Sequence, residues 1–106
     1  MYKSMRWSHR IGSIVAITLI ATSPARACWE QAAQRYGVSS ELLYAIARTE
    51  SGLDPQAIGR NRNGSRDIGL MQINSAWLPR LSTHGIAERD LFDPCTSIHV
   101  GAWILA

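Results

Sequence analysis

The sequence predicts a mainly helical α+β domain carried behind a short export leader. Three observations predict it. Several stretches repeat apolar residues at the 3.6-residue period and end at helix punctuation. A polar, turn-rich segment at 54–67 interrupts them. The opening residues have the pattern of a processed targeting peptide rather than of a folded element.

That opening places Lys3, Arg6 and Arg10 before an apolar run from Ile11 to Ala21, followed by Ala25-Arg26-Ala27. A charged start, an apolar middle and an Ala-x-Ala site make residues 1–27 a signal peptide, with cleavage expected after Ala27 and export to the periplasm. The run is shorter than the roughly 20 residues a membrane span needs. The leader also distorts the charge. The 106 residues sum to +3, but losing Lys3, Arg6, Arg10 and Arg26 leaves seven of eleven basic residues against eight acids, a net of −1. Nothing in that balance suggests nucleic acid as a partner.

The mature domain, 28–106, begins at Cys28, and Cys95 is the other cysteine. Two cysteines in a small exported chain usually pair, and closing so long a loop stabilises a fold by roughly 4 kcal/mol on the entropic account. A lipidated Cys28 is the competing reading, against which Arg26 and the lack of a preceding Leu both stand. His84 and His99 are most simply surface or helix residues, and no metal or cofactor is expected.

Cys28 to Tyr36 is the first helix, with Trp29, Ala32, Ala33 and Tyr36 on one face and Gly37 as its stop. Ser39 or Ser40 caps the second, which has Glu41 in its first turn and runs to about Ser51. At about 100° per residue, Leu42, Leu43, Ile46 and Ala47 share a side, with Glu50 in the middle of that arc. Glu41, Tyr44 and Arg48 lie opposite. A carboxyl facing apolar neighbours is costly to ionise, which suits a general acid working near neutral pH. Gly52 and Pro55 end the helix, so Glu50 falls in its last turn, within reach of a substrate. Spacing alone leaves a second reading equally open, a buried structural glutamate held by a backbone or Arg partner.

Asn61 to Arg66 is expected to turn at Asn63-Gly64 and to form a groove rim, with Arg or Asn side chains reaching a polar ligand. Ile68 to Ile73 is apolar, with Gly69 permitting an unusual φ or a close backbone approach. Gln72 and Asn74 are the polar members of this stretch, and Asn74 also fits as a helix cap. Ser75 to Leu81 holds a short helix containing Pro79. Asp93 and Pro94 open the last helix as N-cap and first residue. Cys95, Ile98, Ala102 and Leu105 line one side of it, with Val100 and Ile104 on another, so it is expected to be buried. Its apolar pattern runs to Ala106 without a stop signal, and the domain is expected to be incomplete at its C-terminus.

Ala47-x-x-Glu50-Ser51-Gly52, then Asn63-Gly64-Ser65-x-Asp67-Ile68-Gly69-Leu70-Met71-Gln72-Ile73-Asn74, then Trp77-Leu78-Pro79, Asp93-Pro94-Cys95 and Gly101-Ala102-Trp103, together resemble the soluble lytic transglycosylases. Within that family the likeness is strongest to small secreted members associated with invasion, type III/IV secretion, pilus and conjugation systems. It extends over nearly all of 28–106, and both cysteines sit as in those members. The resemblance implies a lysozyme-like helical fold with a small β region beside the groove. It implies Glu50 as the single catalytic acid/base, and Ser51, Met71, Gln72 and Asn74 as residues along the glycan cleft. The implied substrate is peptidoglycan, cut between N-acetylmuramic acid and N-acetylglucosamine to leave a 1,6-anhydro end, so that the wall opens locally for a secretion or conjugation apparatus. A lysozyme-type hydrolase and a truncated, non-catalytic peptidoglycan-binding module are the alternatives. Family members continue into a helix with an Ala-Tyr-Asn motif, which this sequence does not contain.

Overall fold

The computed structural model describes residues 24–106. The charged start and apolar run of the expected leader therefore lie outside the described residues. Helix α1 spans Pro24–Tyr36, α2 Ser40–Ser51, α3 Leu78–Ser82 and α4 Pro94–Leu105. Between α2 and α3 run β1 (Ile58–Arg60), β2 (Arg66–Ile68), β3 (Ile73–Asn74) and a 3-10 turn, Ser75–Trp77. A second 3-10 turn, Glu88–Phe92, precedes α4. The mainly helical α+β expectation holds.

Helix α2 follows its sequence cues closely. Ser39 has extended backbone and its Oγ accepts from the Leu42 amide at 3.1 Å. Gly52 adopts φ 64° and its amide bonds back to Ala47 and Arg48. Helix α1 begins at Pro24 rather than Cys28. It packs most extensively on α4, and the Cys28–Cys95 disulfide ties the two helices at a Cα separation of 5.4 Å.

The three strands form an antiparallel sheet in chain order, pairing Gly59 with Asp67 and Ile68 with Ile73. The Asn63-Gly64 turn closes the first hairpin, with Gly64 at φ 89° and its amide on Asn61 O. Ile68 to Ile73 is not one strand. It breaks at Gly69–Gln72 into a tight turn between β2 and β3.

One core joins these pieces. Leu43 and Ala47 of α2, Ile68, Leu70, Met71 and Ile73 of the sheet region, Leu81, Leu91, and Ile98, Val100 and Ala102 of α4 are all buried in it. Helix α4 is accordingly buried on more than one side, though Leu105 near its end is exposed. Aromatic rings flank the core: Trp77 meets Trp103 edge-on at 5.6 Å, and the Arg80 guanidinium lies 5.5 Å from both ring centres.

Candidate active site

Glu50 stands in the last turn of α2, and its side chain is exposed. This corrects the expectation that it faces the core. The angular reading holds only in part: Leu43 and Ala47, to one side of its direction, are fully buried, whereas Leu42, counted in the same arc, is exposed. Glu50 also lies seven residues beyond Leu43, about 10 Å along the helix, past the last buried residue of α2, Ala47. The described residues thus hold the carboxyl at the mouth of the core rather than inside it.

The Gly69–Gln72 turn meets the helix one residue further on. Ser51, the next residue, has its hydroxyl 2.7 Å from Leu70 O and 3.1 Å from Ala47 O. That contact brings the two sequence motifs together across a separation of nineteen residues. Gly69 makes the turn possible. Its φ is 76°, and a Cβ there would stand 2.2 Å from Leu91 O, so no other residue fits.

The remaining side chains of the motif have well-defined partners. Met71 is buried, its amide donates to Ser97 Oγ at 3.0 Å, and its side chain lies against Gly101. Gln72 has φ 53°, unusual for a residue with a Cβ. Its Nε2 donates to Gly69 O at 3.0 Å and Ala57 O at 3.3 Å, folding the amide back over the turn. Asn74 caps the following turn, its Oδ1 accepting from the Ala76 amide at 3.0 Å, while its Nδ2 donates to Asp67 Oδ1 at 2.9 Å and Ser65 Oγ at 3.2 Å.

The two carboxylates that follow Glu50 in sequence are engaged as well. Asp54 Oδ1 accepts from the Gln56 amide at 2.9 Å, closing a turn. Asp67 accepts from both Asn61 and Asn74 inside the sheet. Asn63 Oδ1 accepts from the Ser65 amide and hydroxyl. The asparagines expected to reach a ligand from the rim are therefore spent holding the hairpin, whereas Arg60 and Arg62 are exposed. A groove of about 630 Å³ lies elsewhere, lined by Tyr36, Leu81, His84, His99, Val100 and Trp103 among others and by no residue of 47–52 or 69–74. We place the candidate site at Glu50 and not there, because that groove contains no carboxyl group.

Sequence reasoning missed Ser97, fully buried on α4, which receives the Met71 amide. A signal was available. Ser97 and Gly101 lie one turn apart on an otherwise bulky apolar helix, and small residues at that spacing mark a close backbone approach. No group of three or more His, Cys, Asp or Glu residues stands close enough to hold a metal among the described residues.

Residues 27–106 match the family described as the transglycosylase SLT domain. The chain is 53% identical over 95 residues to the invasion protein IagB of Salmonella typhimurium, a match covering 88% of this chain and 59% of that protein. It is 46% identical over 79 residues to protein IpgF of Shigella flexneri, covering 74% of this chain and 52% of that one. The peptidoglycan-binding-like protein of Escherichia coli O157:H7 is 42% identical over 87 residues, again covering 74% of this chain and 52% of its own. The chain thus spans between half and three-fifths of the length of these relatives.

Proposed function

The chain belongs to the transglycosylase SLT family, and we propose that it is a peptidoglycan lytic transglycosylase with Glu50 as its single acid and base. One observation carries this reading. Glu50 is exposed at the end of α2, joined through Ser51 to the glycine turn, while Asp54 and Asp67 are committed to hydrogen bonds of their own.

A typical glycosidase sets two carboxylates across the scissile bond. With one available, the substrate supplies the second function. Glu50 donates its proton to the oxygen leaving toward N-acetylglucosamine, and the C1–O bond of N-acetylmuramic acid breaks. The 2-acetamido oxygen of that sugar stabilises the electron-poor C1. The sugar's own 6-hydroxyl then attacks C1, its proton passes to the Glu50 carboxylate, and the 1,6-anhydro ring closes with the acid restored. The first step needs a protonated carboxyl, and a glycan strand laid over the helix end favours that form by excluding water.

In this reading the turn carrying Met71 and Gln72, and Asn74 after it, form the wall beside the glycan by their backbone, since their side chains hold the turn, the sheet and the contact with α4. The similarity to the invasion protein supports a further part of it: the enzyme opens the wall locally for a secretion, pilus or conjugation apparatus, whose components would be its partners. The export leader supports work in the periplasm.

Digestion of purified sacculi tests the chemistry. The wild type should release muropeptides with anhydro ends, read by mass spectrometry, and Glu50→Gln should release none while keeping its helical circular dichroism. Reducing ends instead of anhydro ends would assign a lysozyme-type hydrolase. Retention on sacculi without release would assign a binding module.

A further inference from the structure

We infer that Ser51 is a positioning residue, whose hydroxyl fixes Glu50 against the backbone of the Gly69–Gln72 turn. The inference rests on the reading of Glu50 as the acid. It assigns Ser51 a role through backbone geometry in place of contact with the sugar.

A hydroxyl has one proton to give, and two carbonyls lie within reach of this one. Ala47 O already accepts from the Leu53 amide at 3.3 Å, whereas Leu70 O is the nearer acceptor, at 2.7 Å. Leu70 is buried, so its carbonyl has little access to water and needs the donor. The proton therefore belongs on Leu70 O, across the junction between helix and turn.

The turn on the far side of that bond is pinned from several directions. The Gly69 amide donates to Ala57 O at 2.8 Å, and the Gln72 amide to Gly69 O at 3.0 Å. Gln72 Nε2 has two hydrogens, and Ala57 O and Gly69 O take them. That side chain thereby braces the left-handed backbone of its own residue. Ser97 holds Met71 from the α4 side. The end of α2, by contrast, runs directly into a left-handed pair, Gly52 at φ 64° and Leu53 at φ 65°. The turn and the end of α2 are joined by the Ser51 hydroxyl, one residue from Glu50. Where the acid sits relative to the turn follows from that bond.

Three variants test it: Ser51→Ala, and the equally shaped pair Ser51→Thr and Ser51→Val, which differ in the hydroxyl. Turnover of soluble glycan strands and backbone amide exchange are measured on each. We expect Ser51→Ala and Ser51→Val to lose kcat on the order of 10²-fold, the scale of an ångström's misplacement, with KM nearly unchanged. Ser51→Thr should recover most of the loss. The amides of Leu70 to Ile73 should exchange faster wherever the hydroxyl is missing. A raised KM with kcat intact would make Ser51 a sugar contact and overturn the inference, as would an alanine variant with full kcat. If Ser51→Ala does not fold, the threonine and valine pair decides the same question. If the wild type turns over no glycan, the enzymatic reading fails separately, and the inference is then judged on exchange, where unchanged rates at 70–73 in the valine variant would overturn it.

Discussion

Glu41 and Glu50 occupy opposite ends of α2 and show how little of a carboxylate's role is set by residue type. Glu41 lies in the first turn, where its own backbone amide holds its carboxyl below the ordinary value of 4.5, assisted by the Ser39 and Ser40 hydroxyls. A carboxyl depressed in the folded state stabilises the fold above its unfolded value, and that contribution is lost as pH falls through the folded one. Glu41→Gln should therefore melt slightly below the wild type at neutral pH. The gap should close as pH is taken below the ordinary 4.5, followed by circular dichroism melts across a pH series. Both glutamates were legible as to helix position. The exposure of Glu50 was not, because the buried arc of α2 is narrower than its apolar arc, and Leu42, counted in that arc, is itself exposed.

At the scale of elements, the small sheet was the least legible part of the fold. Strands of three and two residues are too short to show alternation. The Asn63-Gly64 turn announced the first hairpin, whereas the second is built on Gln72 at φ 53°, a position where sequence rules expect Gly or Asn. The helices were better marked, because Ser39, Gly52, Asp93 and Pro94 each perform the local task their chemistry suggests. What sequence could not show is that Asp67 and Asn74 face one another across β2 and β3. This pair yields a sharp expectation. Asn74→Asp places a second carboxylate where an amide now donates at 2.9 Å. It should destabilise the domain by about 2–4 kcal/mol at neutral pH, an unmade hydrogen bond plus like-charge repulsion. Stability should partly return in acid, when the two carboxyls share a proton. Asn74→Ala should cost about 1–2 kcal/mol with no such recovery. Urea titrations at neutral and acid pH distinguish the two.

For the molecule as a whole, the disulfide sets the scale. It links the first helix to the last across 67 residues, and α2, the sheet and α3 all lie within the loop it closes. Its presence was legible from cysteine count and the expected compartment. Its structural reason was not, since it depends on α1 and α4 packing together. Replacing both cysteines by serine should lower stability by about 4 kcal/mol on the chain-entropy account, read as a lower urea midpoint. Wild-type protein treated with reductant should behave in the same way.

The same bridge bears on how the protein ages. The tip of the first hairpin is exposed at Asn61, Arg62, Asn63 and Gly64, where proteases cut most readily. Both cysteines lie outside that tip, one on each side. A single scission after Arg62 would therefore sever the backbone without parting the halves, and Glu50 and its glycine turn, now on different fragments, would stay fastened to one another until a thiol let them go.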